Sequence, residues 1–152
     1  MVRWICNAEE KREIKMKKEI NVVGAAIIND QNQVLATERG DDRTLGTQWE
    51  FPGGKVQDGE TPQQALKREI QEEFSDQAVV GAAVGPAIDH HYDFGIVHLT
   101  VYYVRLLTNN LRLVAHGKAF WCDQAQLTKL NWAAADQEIA RIIEATDLPK
   151  LD

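Results

Sequence analysis

At 152 residues, with 44% hydrophobic and 26% charged side chains, the chain has the size of one domain that buries a core without disulfides or a structural metal. Its formal charge of −6 excludes the broad basic face that grips long nucleic acid, since such binding rests on many Lys and Arg contacts to phosphate. No apolar run approaches the roughly 20 residues that a membrane-spanning helix requires, so a soluble protein with no membrane partner is expected.

Residues 1–16 read as an N-terminal extension of mixed charges with few apolar positions. Met1 to Ile5 is too short to be a secretory apolar segment before Glu9, Glu10, Lys11 and Arg12, which leaves the cytoplasm as the expected compartment. Arg12-Glu13 is codable as a purine run at ribosome-binding distance from Met16, so Met16 is an alternative start and residues 1–15 are expected to be dispensable. Residues 17–152 then form the folded domain. Cys6 and Cys122 lack ligand-like spacing and read as reduced, incidental thiols.

Ile20 to Ile28, INVVGAAII, is an apolar run rich in β-branched residues. The turn-prone Asn29 to Asn32 lead from it into Gln33 to Thr37, which predicts a hairpin. Thr61 as N-cap, Pro62 at the first helical position and Gln64 completing a T-x-x-Q capping box predict a helix running to about Phe74. Further strands are expected at Val79–Val84, Ile96–Leu107 and Ala119–Cys122, then a short helix after Asp123 with Gln126 in the capping-box position. A closing helix from about Asp136 carries Ile139, Ile142 and Ile143 on one face. This order implies an α/β fold, an α/β/α layered domain with a mixed sheet.

Within the first helix Glu69, Glu72 and Glu73 stand at i, i+3 and i+4 and crowd one face. Lys67 and Arg68 are the nearby bases, set against these three and Glu60, so the face reads as one built to hold cations. Clustered hard oxygen ligands suit Mg²⁺, with Mn²⁺ as the alternative, and Mg²⁺ shares its coordination among a few carboxylates, waters and substrate phosphates. Pro52, Gly53, Gly54 and Gly59 precede the helix and allow a backbone carbonyl to approach such an ion.

From Gly54 the chain reads GKVQDGETPQQALKREIQEE, which resembles the Nudix box G-x5-E-x7-R-E-U-x-E-E-x-G-U, where U is aliphatic. Gly54, Glu60, Arg68, Glu69, Ile70, Glu72 and Glu73 all fall in place. Matching the near-fixed positions at average residue usage has a chance of about 10⁻⁷ per placement, which excludes coincidence over a chain of this length. Ser75 and Asp76 depart from the closing Gly and aliphatic positions and bear on how the helix ends.

The wider stretch from Trp49 resembles the MutT-like and CTP pyrophosphohydrolase branch, and the resemblance extends from Val22 to about Ile143. It implies a Nudix-type α/β/α sandwich with the catalytic helix after a Gly-rich loop. It also implies hydrolysis of a small nucleotide, 8-oxo-dGTP, (d)CTP or a relative, to a nucleoside monophosphate and pyrophosphate. By the same resemblance Glu69, Glu72, Glu73 and the Gly53 carbonyl bind metal, Arg68 orients the glutamates, and Glu69 is the candidate general base. Arg39 and Lys55 are candidate phosphate-binding residues, and the alternative for Lys55 is a solvated cation. Asp136 is a candidate base contact or else the N-cap of the last helix. Phe51 and Trp49 stack on the base or pack near it. The family often carries a loop Glu where this chain has Ala115, before His116. That departure motivates a rival reading as a non-catalytic nucleotide-binding domain. A third reading is a hydrolase of another nucleoside diphosphate derivative.

Overall fold

The computed structural model describes residues 18–42, 46–108, 111 and 118–151; the N-terminal extension, Ala115 and His116 lie outside them. Two sheets carry the fold. In the first, β1 (Lys18–Ile27) pairs antiparallel with β4 (Gly53–Lys55) and parallel with β7 (Gly95–Leu106). The long β7 pairs in turn with both β5 (Ala78–Ala83) and β6 (Ile88–Tyr92), antiparallel in each case. In the second sheet β2 (Gln33–Asp42) lies between β3 (Gly46–Glu50) and β8 (Ala119–Asp123). The larger sheet is therefore mixed, as the order of elements predicts.

Successive side chains of β1 serve two cores, because a strand alternates its faces. Val23, Ala25 and Ile27 join Leu66, Ile70 and Phe74 of helix α1 (Pro62–Phe74). Ala26 and the following Ile28 join Ile139, Ala140 and Ile143 of helix α2 (Ala134–Ala145). The sheet is thereby covered on both faces, which explains why β1 reads as a continuous apolar run rather than an alternating one. No helix among the described residues is long and apolar enough to cross a membrane.

Helix α1 begins as its sequence dictates. The Thr61 hydroxyl accepts from the Gln64 N–H at 3.1 Å while the Gln64 side chain accepts from the Thr61 N–H at 2.9 Å. Its end is unusual. Ser75 adopts the left-handed conformation, φ 52° and ψ 41°, with its N–H donating to Gln71 O. Asp76 is buried and accepts from the Gln77 N–H at 2.7 Å, the Thr108 N–H at 3.2 Å and the Thr108 hydroxyl at 2.8 Å. A carboxylate with three donors satisfies its burial, so this side chain ties the end of α1 to the end of β7 where the motif ordinarily has an aliphatic residue.

Three sequence expectations need correction, and three strands went unforeseen. β1 and β2 are joined by a tight turn, with Asn29 N–H donating to Gln33 O, but they enter different sheets and share only the bridge Ile28↔Val34. The hairpin is thus a hinge between sheets. The segment after Asp123 is a 3-10 helix, Gln124–Lys129, without a side-chain cap; Asp123 instead accepts from the Gln33 side chain at 3.1 Å. Helix α2 starts at Ala134 with Ala133 as N-cap, so Asp136 lies inside the first turn and is not the cap. Strands β3, β4 and β6 carry no alternating apolar signal, and the last includes Asp89, His90 and His91.

Candidate functional site

Arg68 binds the glycine loop to α1. Its Nε and Nη2 donate to the two carboxylate oxygens of Glu60 at 2.8 and 2.9 Å, and Nη2 also donates to the Lys55 carbonyl at 3.0 Å. Nη1 donates to Glu69 Oε1 at 2.9 Å and stands 3.5 Å from Glu72 Oε2. A planar guanidinium that takes one carboxylate bidentately fixes orientation as well as charge. Glu60 is thus spent on holding Arg68, and its carboxyl is held below the usual range chiefly by that guanidinium. A Cβ on Gly54 would meet the Glu69 carboxylate and displace it from the place where Arg68 holds it. A Cβ on Gly53 would strike the Val23 carbonyl.

Glu73 is the crowded member of the cluster. Burial, and then the charges of Glu69 and Glu50, push its carboxyl up to about 7, against a hydrogen bond from the Gly53 N–H. Among the described residues no three acidic, imidazole or thiol groups converge on one point as a finished metal cage. The donor set nonetheless fits a hard divalent cation. Glu69, Glu72, Glu73 and the Gly53 carbonyl are all oxygen donors, and mutual repulsion at Glu73 is what a cation relieves. A partial set of this kind suits an ion that completes its shell with water and substrate phosphate.

Two cavities flank this region. A small one of about 90 Å³ is lined by Thr37, Glu50, Pro52, Gly53, Glu73, Phe74 and Lys118. A larger one of about 220 Å³ includes Arg39, Glu50, Phe51, Gly53, Tyr92, Phe94, Leu99 and Asp136 in its wall. Glu50 and Gly53 belong to both walls, so the carboxylate side and the apolar side of the site adjoin. Apolar lining with a few placed polar groups is the usual make-up of a small-molecule pocket.

Asp136 lies in the larger cavity at 7% exposure. Its Oδ1 accepts from the Phe51 N–H at 3.2 Å. Burial pushes its carboxyl up to about 7; the Phe51 N–H and Arg39 oppose this and Glu50 adds to it. Phe51 lines the cavity but is only 5% exposed and stacks on Trp132, with centroids 4.4 Å apart, so it is a wall and not a free platform. Trp49 packs edge-on against Phe120 at 4.7 Å. Arg39 stands exposed at the cavity wall. Lys55 is exposed and lines neither cavity.

Sequence reasoning missed four residues here: Glu50, Lys118, Tyr92 and Phe94. Tyr92 ends β6 and Phe94 sits in the turn before β7; the two stack with centroids 5.1 Å apart and leave Phe94 57% exposed. The available signal was the pattern Tyr92-Asp93-Phe94-Gly95, a turn that carries two large aromatic side chains.

The pattern of the family described as NUDIX domain matches residues 18–142. Over 58 residues the chain is 46% identical to the 8-oxo-dGTP diphosphatase of Proteus vulgaris, which covers 38% of this chain and 52% of that protein, about half its length. Similarity to the CTP pyrophosphohydrolase of Escherichia coli (strain K12) extends further, 34% identity over 121 residues, covering 78% of this chain and 87% of that protein. Among solved structures, a MutT protein of the Nudix hydrolase family from methicillin-resistant Staphylococcus aureus 252 superposes with a TM-score of 0.70 at 43% identity, covering 86% and 98% of the two chains.

Proposed function

Because the chain belongs to the Nudix hydrolase family, matched over residues 18–142, we propose that it is a cytoplasmic, Mg²⁺-dependent pyrophosphohydrolase that cleaves a nucleoside triphosphate to the monophosphate and pyrophosphate. The observation that carries this reading is the pair of cavities sharing Glu50 and Gly53. One offers apolar walls, aromatics and Asp136 for a base, and the other opens on Glu73 of α1. The partner is a small nucleotide, 8-oxo-dGTP, (d)CTP or a close relative, in keeping with what similar proteins are named for. Residues 1–16 precede the matched region and are dispensable in this reading.

Glu69, Glu72, Glu73 and the Gly53 carbonyl would hold the cation. When bound, it lowers the pKa of a coordinated water and neutralises charge developing on phosphoryl oxygens. Glu69 Oε1 accepts from Arg68 Nη1, which orients the carboxylate towards the cation and its water, where Glu69 is also the candidate general base. Arg68 holds that carboxylate in place. Arg39, which shares the wall of the base cavity with Glu50, draws in the phosphate chain, and Lys55 adds positive charge at its edge. Phe51 closes one wall, and Phe94 offers an exposed ring for stacking.

Asp136 reads the base. One of its oxygens is already committed to Phe51, so a single oxygen faces the ligand and accepts from an amino donor such as cytosine N4 when ionised. A panel of nucleoside triphosphates assayed for pyrophosphate release with Mg²⁺ tests the proposal. Turnover abolished by chelation is expected; tight binding of a nucleotide without any turnover would overturn it in favour of a binding domain.

A further inference from the structure

Beside the base cavity lies an open groove of about 510 Å³ lined by Lys18, Ile20, Val22, Lys55, Phe94 and Val97. Resting on the nucleotide reading above, we propose that this groove is a second anion subsite, in which Lys18 receives a phosphate ester on the 2′ or 3′ oxygen of the bound nucleotide's sugar.

The register of the sheet places the groove. Lys18, Ile20 and Val22 stand opposite Gly95, Val97 and Leu99 on β7, and Lys55 stands opposite Val22 on β4. Alternation puts all of them on the face that carries the base cavity, which shares Val22, Phe94 and Val97 with the groove. Base pocket and groove are one strip along β1 and β7, divided by the exposed ring of Phe94. Lys18 is four residues from Val22 on one strand, a span of about 13 Å.

Charge and geometry choose the occupant. In a chain of net charge −6, two lysines and no acid line this groove among the described residues. The neighbouring Glu19 alternates to the opposite face, where it meets His98 Nε2 at 3.4 Å. Among the described residues neither Lys18 nor Lys55 has an ion-pair partner. A nucleotide with its base at Asp136 and its 5′ phosphates at Gly53 and α1 has only the sugar left to point along the strip. The groups it can extend are its 2′ and 3′ oxygens, and an ester phosphate there would bring the negative charge that the lysines lack.

The test uses the full chain and product-like inhibitors of its pyrophosphohydrolase activity: a nucleoside 5′-monophosphate, its 3′,5′-bisphosphate and its 2′,5′-bisphosphate, all with the best base. One bisphosphate should inhibit about fivefold more tightly than the monophosphate, the scale of an exposed ion pair, and the gap should narrow in high salt. Whichever isomer gains identifies the oxygen. Lys18→Ala should abolish the gap while leaving triphosphate turnover and monophosphate inhibition unchanged; Lys18→Arg should retain it. Equal inhibition by all three compounds, or a gap that survives Lys18→Ala, would overturn the subsite. Failure of the catalytic reading would show separately, as no triphosphate turnover by the unaltered protein.

Discussion

The two halves of the site each hold a carboxyl pushed up to about 7, for different reasons. At Glu73 burial is joined by the charges of Glu69, Glu50 and Glu72, three other carboxylates. At Asp136 burial dominates, and the groups that follow partly cancel: the Phe51 N–H and Arg39 lower what Glu50 raises. A cation beside α1 removes the repulsive part of the first shift and leaves the second nearly untouched. Glu73 is therefore sensitive to any charge placed beside it, whereas the shift at Asp136 is set by the fold. The same raised pKa reflects crowded carboxylates in one place and burial in the other.

The largest expected effect would break the comparison if it failed. Glu73→Gln and Glu72→Gln should each lower kcat by about 10² to 10³, the scale seen when one electrostatic contributor to a transition state is lost, with circular dichroism unchanged. Near-normal turnover in both would move the chemistry off α1. The same substitution has an opposite effect on stability. Glu73 has a folded pKa of about 7, above its ordinary value, so the folded state binds the extra proton more tightly than the unfolded state does. Its contribution is fully favourable below about 4.5 and is lost as pH rises towards 7. In chelator at pH 8, Glu73→Gln should raise the unfolding free energy by about 1 to 3 kcal/mol. At pH 4.5 the gain should vanish. Urea titrations at both pH values check it, and an equal gain at both would show that ionisation is not the cause.

Asp136→Asn sharpens the other half. Retaining the Phe51 N–H contact at Oδ1 forces the amide to present its NH₂ to the ligand, a donor in place of the ionised acceptor. Preference should then shift from a base offering an amino group towards one offering a carbonyl, by about 1 to 3 kcal/mol in kcat/KM ratios. The wild-type ratio should also change between pH 6 and 8 as Asp136 titrates near 7, while the variant's ratio stays flat. Kinetics on dCTP, dGTP and 8-oxo-dGTP across that range decide it; ratios that match at every pH would remove Asp136 from base recognition.

The halves also differ in how far the sequence discloses them. Gly53, Gly54, Glu60, Arg68, Glu69, Glu72 and Glu73 lie within one helix and the short strand and loop that lead into it, and helical spacing converts directly into proximity for the last four. The capping box and the buried stripe of Leu66, Ile70 and Phe74 fix that helix without reference to the rest of the chain. The base cavity gathers Val22, Arg39, Phe51, Tyr92, Phe94, Leu99 and Asp136 from elements separated by up to most of the chain. Asp136 is legible in sequence only as a cap or a contact, and the fold removes the cap reading by starting α2 at Ala134. Phe94 carried no periodic signal because it sits in a two-residue turn, and Lys118 gains its place through β2, where its carbonyl accepts the Glu38 N–H at 2.9 Å. Strand pairing of this range is invisible to local pattern.

The smallest expected effect probes the seam between the catalytic helix and the scaffold. Ser75 is exposed and left-handed at φ 52°, a conformation in which a Cβ costs roughly 1 to 2 kcal/mol. Glycine relieves that cost and adds back roughly 0.5 to 1 kcal/mol of unfolded-state entropy. Ser75→Gly should therefore stabilise the protein by about 0.5 to 1 kcal/mol, read as a higher urea midpoint with the same slope. Turnover should not change, because the buried Asp76 and its bonds to Thr108 already anchor this end of α1 to β7. Since Glu72 and Glu73 stand just before the turn, a loss of kcat on Ser75→Gly would show that the helix end, and not Arg68 with the glycine loop, sets the position of the carboxylates.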